Sequence, residues 1–380
     1  MLCMTVLVLN VGSSSVKYAA FRVVDHQLDE LARGNSQRTG SLGARASADD
    51  RRAIEKVLSD VEHKFGKVTV IGHRVVHGGR QFSAPVIIDE AILQQMAGLT
   101  ALAPLHQPHN LAAINVTREL RANAVQVACF DTSFHRTQPE RNKRFALPEK
   151  YFSAGIERYG FHGLSYHWLT QELAKVRGSL PQRVLAYHLG AGASACAILD
   201  GASHQASMGF STLDGLMMAT RPGCVDVGVV LHLLQTGMSA SELTELFYTR
   251  SGLLGVSGAT GDMKTLLEST EPHGRLAVEM YCDRAAAVGA GLVAGLGGVD
   301  LVAFTGGIGE NAAEIRLQIV SRLRFLGFGL DSDRSGIGTY EVTAEGSSKE
   351  CWVVAANEEK IIAEAAFSLS RKAISSSTAE

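Results

Sequence analysis

Three glycine-rich turns, two arginines with no carboxylate at helical spacing and one aspartate closing an apolar run are the parts of this sequence that could do chemistry. The first turn lies in "TVLVLNVGSSSVKYAAF" (Thr5–Phe21), where Gly12 and the hydroxyls of Ser13, Ser14 and Ser15 separate two apolar runs and Lys17 follows closely. Lys17 precedes Tyr18 rather than Ser or Thr, so the stretch is a hairpin and not a Walker A loop. A tight Gly-Ser hairpin offers backbone N–H groups and hydroxyls to a phosphate. The second turn, "HLGAGAS" (His188–Ser194), does the same with almost no side chain in the way. Each also reads as an ordinary β-turn. The third, "TGGIGEN" (Thr305–Asn311), follows the buried run "VDLVAF" and precedes the helically spaced "AAEIRLQIVSRL". That order lets backbone approach an anion at a helix start; it equally serves to pack a helix on a sheet.

Asp131 ends "AVQVACF", at a strand's C-terminal edge, where open α/β sheets bind ligands. It suits Mg²⁺, which takes one or two carboxylates and lets phosphates and water complete its shell, or it caps the next turn. Arg74 in "GHRVVHGG" and Arg221 in "MMATRPG" could each hold a carboxylate or phosphoryl group bidentately, or serve in a structural ion pair. His162 in "RYGFHGLSYH" and His106 in "APLHQPHN" have the company of packed core histidines, and no Cys/His spacing indicates zinc. A nucleophile elbow is absent, which argues against a hydrolase triad.

These groups need a scaffold. At 380 residues two domains are the natural reading, and a net charge of −2 with interspersed signs points away from nucleic acid and anionic membranes, toward a small ligand. Cys3, Cys129, Cys196, Cys224, Cys282 and Cys351 stand far apart, mostly inside apolar runs, as buried thiols of a reducing compartment do. No secretion signal precedes the first strand, so the cytosol is the expected compartment. Ala285–Phe304 is broken by glycines and Asp300, which predicts a buried helix and then a strand rather than a membrane span. Strand-like runs at Val6–Leu9, Val68–Ile71, Val125–Phe130, Val184–His188 and Leu301–Phe304 alternate with helical spacing at Ala91–Leu99, Leu111–Leu120 and Ser241–Tyr248. This is an α/β pattern. Ser36–Arg51 reads as a polar connector and the "SSSTAE" tail as frayed. Aligned without gaps, Asn10 falls on His188 and Gly12 on Gly190, an offset of 178 residues (188 minus 10). The match reflects either one plan used twice or two hairpins of like composition.

Taken in order, "NVGSSSVKY", "GHRVVHGG", "LAPLHQPHN", "FDTSFH", "RYGFHGLS", "HLGAGAS", "SMGFSTLDGLMMATRPG", "SGLLGVSG", "GGIGEN" and "NEE" resemble the acetate kinase family, short-chain acyl kinases of the sugar kinase, heat-shock chaperone and actin superfamily. The resemblance runs from residue 10 to residue 359. It implies an α/β fold of two similar actin-like (ribonuclease H-like) domains with an interdomain cleft, residues 1–135 plus 360–380 forming one and 136–359 the nucleotide-binding other. It further implies reversible transfer of the ATP γ-phosphoryl to acetate, giving acetyl phosphate and ADP, with Mg²⁺ (or Mn²⁺), in a cytoplasmic homodimer without nucleic-acid or membrane partners. By correspondence, Arg74, Arg221 and His162 line the carboxylate and the transferring phosphoryl, while Asp131, Asn10 and Glu358 organise the metal. Lys17, His188, Gly190 and Gly192 match phosphate positions, and Asp262, Met263, Lys264, Gly307, Ile308, Gly309 and Asn311 match the adenosine side. Such a transfer spreads negative charge over equatorial oxygens and asks for cations and donors rather than a covalent nucleophile. On that basis Arg74→Ala and Arg221→Ala should each cost turnover more than stability.

Val76 falls where acetate kinases commonly have valine and propionate-preferring relatives a smaller residue, which favours acetate. Departures gather on the nucleotide side: Ala191 replaces an asparagine, Lys264 an arginine, Tyr166 a histidine, Gln205 and Ala206 an Asp-Thr pair, and Cys224 and Val227 an Asp and a Pro.

Overall fold

The computed structural model of the protein describes residues 4–11, 15–24, 27–37, 48–334, 336 and 338–377. The Gly12–Ser14 bend, the middle of the polar connector, Cys3 and the last three residues of the tail lie outside them. The chain divides between Phe134 and His135 and again between Ala356 and Asn357, so the C-terminal helix Glu358–Ser377 belongs with the N-terminal unit.

In that unit β1 (Thr5–Val11), β2 (Ser15–Val24), β3 (Gln27–Gln37), β4 (Val68–Val75), β5 (Val86–Ile87) and β6 (Val125–Phe130) form one sheet of order β3-β2-β1-β4-β6-β5. β1 lies parallel to β4, and β4 to β6; the outer pairs are antiparallel. The parallel strands are buried almost throughout, which explains their near-continuous apolar sequences. Ile54, Val57, Leu58 and Val61 of the helix Ala48–Phe65 pack on Leu7, Leu9 and Ile71. The C-terminal helix comes so close to β4 that a Cβ on Gly72 would lie 2.6 Å from Ile362 Cγ2. Glycine at position 72 therefore sets how near the first turn of that helix, with Glu358, sits to the strand carrying Arg74.

The second unit repeats the plan. β7 (Arg183–Leu189), β8 (Ala193–Leu199), β9 (Ala202–Ala206), β10 (Leu301–Thr305), β11 (Tyr340–Glu341) and β12 (Glu350–Val353) form a sheet of order β11-β12-β10-β7-β8-β9, with β7, β10 and β12 parallel and the rest antiparallel. Read from its other edge, this is the order and sense of the first sheet. Asn10 pairs with Lys17 and His188 with Ser194, so the offset found along the first strand slips by one to 177 in the second (194 minus 17). Both units also carry a register irregularity at the same place, between Ala20 and Phe21 and between Ala197 and Ile198, again 177 apart (197 minus 20). Shared bulges are not expected of two hairpins that merely have similar composition.

Several expectations need correction. Ser36 and Gln37 belong to β3, and residues from Ala48 to Arg51 open a helix, so the polar connector is shorter than its composition suggests. The helix of the tail runs on through Ser377. Cys224 is exposed, unlike buried Cys129, Cys196, Cys282 and Cys351. Ala285–Phe304 resolves into the end of the helix Pro272–Leu296 and β10, and no helix among the described residues is long and apolar enough to cross a membrane.

Each unit contains a buried histidine. His73 Nε2 lies 2.9 Å from Gln126 Oε1, and His135 bonds through Nε2 to the Phe161 carbonyl at 2.9 Å and through Nδ1 to Ser203 Oγ at 2.8 Å. Burial pushes both pKa values down to about 4, against the smaller upward pull of their hydrogen bonds. A folded-state pKa below the unfolded value means that the unfolded chain binds the extra proton. Stability is therefore full above about pH 6.5 and falls between there and pH 4, by about 3 kcal/mol for each histidine. Thermal midpoints measured from pH 7 to pH 4 should decline steadily, and a flat profile would contradict the burial of these rings.

Candidate active site

Arg74 stands at the end of β4, one strand from β6, with Cys129 opposite it in register. Asp131 follows two residues beyond Cys129, and the pairing delivers its carboxylate to the guanidinium: Nε to Oδ1 at 2.9 Å and Nη2 to Oδ2 at 2.7 Å. Arg74 Nη1 also lies 3.2 Å from Glu358 at the start of the C-terminal helix. Burial opposes the positive charge, yet Asp131 and then Glu358 more than offset it, and the Arg74 pKa is raised above the usual guanidinium value. The arginine thus has two carboxylate partners, neither of which sequence spacing could reveal. Asn10 is the last residue but one of β1, on the strand beside β4, one residue past the Leu9–His73 pair. Asn110 accepts from the Val76 N–H at 3.1 Å and donates to the Val11 carbonyl at 3.2 Å. The "PHN" motif thereby fixes the backbone of Val76. Lys17 lies on β2, exposed, opposite Asn10. Asp131 and Glu358 bring two carboxylates, the oxygen ligands a hard divalent cation prefers, to one guanidinium, and among the described residues no third His, Cys, Asp or Glu joins them.

The second unit carries Arg221 and the histidines. The "SMGFSTLDGLMMATRPG" loop is knotted by its backbone: Met218 N–H donates to the Arg221 carbonyl at 2.9 Å, Ala219 N–H to the Ala191 carbonyl at 3.1 Å, and Leu253 N–H to the Met218 carbonyl at 2.9 Å. Gly252, at φ +64°, allows the close crossing, since a Cβ there would lie 2.2 Å from the Met218 carbonyl oxygen. The Arg221 guanidinium donates to the Thr212 carbonyl at 2.9 Å and has no carboxylate partner among the described residues. Burial lowers its pKa, offset in part by Tyr248.

His162 precedes the helix Gly163–Arg177 in the left-handed region, at φ 58° and ψ 25°. A non-glycine residue held there costs about 1–3 kcal/mol and persists only where its surroundings over-determine it. His135, which the sequence reading left without a role, supplies part of that constraint by gripping the Phe161 carbonyl next door. The His162 and His188 rings stack with centroids 4.2 Å apart, and their Nδ1 atoms lie 2.9 Å from Ser194 Oγ and 2.8 Å from Ser165 Oγ. A Cβ on Gly192 would lie 2.9 Å from Arg221 Nη2 and 3.4 Å from His162 Nε2. Glycine there lets a guanidinium and an imidazole both come close to the bend.

Beside it lies a cavity of about 580 Å³, lined by Gly190, Ala191, Gly261, Asp262, Met263, Lys264, Leu267, Gly307, Ile308, Asn311 and Ala312. Its size is that of a small-molecule site, roughly 300–1,000 Å³. Of the residues matched to phosphate and adenosine, Lys17, His188, Gly192 and Gly309 are not among its lining. The "GGIGEN" turn is itself helical, Gly306–Asn311, so β10 leads directly into helix with no intervening loop. A Cβ on Gly307 would meet nothing within 4 Å, whereas Gly309 is buried and its carbonyl, with that of Glu310, accepts from Arg316. Asp262 caps the helix Met263–Glu268 by accepting from Thr265 N at 2.9 Å and Oγ1 at 2.7 Å, bonds that hold its carboxyl below the usual range. Asp226 caps the helix Val227–Gln235, so the Val227 and Cys224 departures leave that helix start intact.

Two α/β units of one topology, one holding an arginine–carboxylate cluster and the other a glycine-walled cavity beside an arginine with no carboxylate partner among the described residues, define the class of duplicated actin-like folds. Within that class the chain belongs to the Acetokinase family, whose pattern matches residues 5–364. It is 41% identical to an acetate kinase of Rhodopseudomonas palustris (strain TIE-1), over 94% of this chain and 96% of that one. Among solved structures it is similar to a propionate kinase from Francisella tularensis (TM-score 0.87, 33% identity, covering 95% of this chain and 98% of that one). It is likewise similar to Porphyromonas gingivalis acetate kinase (TM-score 0.86, 32% identity, covering 96% and 99%).

Proposed function

We propose that the protein is an acetate kinase that moves the γ-phosphoryl of ATP to acetate, reversibly and with Mg²⁺, giving acetyl phosphate and ADP. The observation that carries the reading is the close approach of Arg221 Nη2 and His162 Nε2 to the side-chain-free bend at Gly192, the guanidinium having no carboxylate partner among the described residues. A loosely bonded, transferring phosphoryl group needs such cations and donors around its equatorial oxygens. Arg221 and His162 are assigned to that group, Arg74 to the carboxylate of the acyl substrate, and Gly190, Asp262, Met263, Lys264, Gly307, Ile308 and Asn311 to the nucleotide in the adjoining cavity. His188, Gly192 and Lys17 are assigned to the phosphate chain, and Gly309 to the floor of the turn. Asp131, Glu358 and Asn10 would hold Mg²⁺, which when bound neutralises phosphate charge and orients the γ-phosphoryl.

Val76, with its backbone fixed by Asn110, favours acetate; the likeness to a propionate kinase supports propionate as the second reading. Trapping acyl phosphate as the hydroxamate decides between them. With ATP and Mg²⁺, the rate on acetate should exceed those on propionate and butyrate at equal concentration. A propionate preference overturns the substrate, and no product on any acid overturns the reaction. Substituting GTP or pyrophosphate for ATP reads the effect of Ala191 and Lys264 on donor choice.

A homodimer belongs to the same reading. The helix Val227–Gln235 has no buried residue and exposes Val227, Val229, Leu231 and Leu234, apolar surface that a second copy would cover. Sedimentation velocity at micromolar concentration tests it, a monomer being the contrary result.

A further inference from the structure

Tyr166 stands where the family pattern has a histidine, and it is fully buried one helical turn beyond His162, its N–H donating to the His162 carbonyl at 3.1 Å. Its hydroxyl lies 2.6 Å from Ser194 Oγ, which in turn lies 2.9 Å from His162 Nδ1. Ser194 faces His188 across β7 and β8, so the serine stands on the rung whose imidazole stacks on His162.

We infer that Tyr166 is a positioning residue which, through Ser194, holds neutral His162 in the tautomer that carries its proton on Nε2. The directions follow from the donor inventory. A phenol is a stronger donor and a weaker acceptor than an aliphatic hydroxyl, so across the 2.6 Å contact Tyr166 gives its proton to Ser194 Oγ. The serine then has one proton left, which it gives to His162 Nδ1. An imidazole that accepts at Nδ1 bears its hydrogen at Nε2. That nitrogen approaches the Gly192 bend together with Arg221 Nη2, so the ring presents a donor, not a lone pair, to an anionic oxygen bound beside them. The inference rests on the proposed phosphoryl transfer for its purpose, but the tautomer is a property of the protein without substrate.

The test is ¹⁵N NMR of the ligand-free protein labelled at histidine, with the His162 signals assigned through His162→Gln. The wild type should show His162 protonated at Nε2, and Tyr166→Phe should show a mixture of tautomers with kcat lowered about tenfold and KM for acetate unchanged. Ser194→Ala breaks the same chain without disturbing the buried ring and should shift the tautomer likewise, which keeps the test decisive if the Tyr166 variant folds poorly. A proton on Nδ1 in the wild type, or a pure Nε2–H tautomer with full kcat in both variants, overturns the inference. If the wild type shows the Nε2–H tautomer and loses it in the variants yet makes no acyl phosphate, the positioning chain stands and the proposed reaction falls.

Discussion

Arg221→Ala lowers kcat for acyl phosphate formation about a thousandfold while leaving the melting temperature within ~3 °C of the wild type. The magnitude is that of removing a cation aimed at charge that develops only in the transition state. The small stability effect follows from the surroundings of Arg221. It has no carboxylate to leave behind, and burial already disfavours its charge. Removing it forfeits one charge-assisted bond to the Thr212 carbonyl and relieves the cost of keeping an unmatched cation out of water. The two effects nearly cancel, to within about 1 kcal/mol, which is at most a few degrees for a domain of this size. Arg221→Lys should restore little activity, because an ammonium cannot reproduce two parallel donors. Turnover measured by hydroxamate trapping beside a thermal melt checks the pair of numbers. Activity and stability falling together would assign Arg221 a structural role instead.

Arg74→Ala behaves differently, although the sequence suggested that the two arginines form a matched set. Activity is lost again, but now the protein loses stability, by about 3 kcal/mol, or roughly 6–12 °C in melting temperature. Asp131 is nearly buried, and without the guanidinium it and Glu358 lose the cation they share. The same argument makes a further result follow. Two carboxylates released from an arginine become better ligands for a divalent cation, so added Mg²⁺ raises the melting temperature of Arg74→Ala more than that of the wild type. An unchanged melting temperature in the variant, or equal Mg²⁺ shifts in both proteins, would falsify the arrangement of Arg74 between the two acids.

The contrast between the arginines measures what the sequence could and could not disclose. Both looked alike in it, each beside small residues with no acid at helical spacing. What separates them is the register of β4 on β6, a long-range pairing that brings Asp131 to Arg74 across 57 positions. The central strands were legible because burial on both faces makes them apolar runs. β3, β5, β9 and β11 were not, because edge strands are short or polar. The glycines of the second hairpin were legible as a place for close approach. The Tyr166–Ser194–His162 chain and the grip of His135 on the Phe161 carbonyl were not, since each joins a helix or loop to a strand far away in sequence.

The bulge that recurs after Ala20 and after Ala197 gives both sheets one backbone plan, whatever side chains each carries. One half gathers acids about an arginine; the other walls its cavity with glycine and alanine and holds an arginine with no carboxylate partner among the described residues. With the plan held in common, neither half has to attract and repel the same charge in the same place.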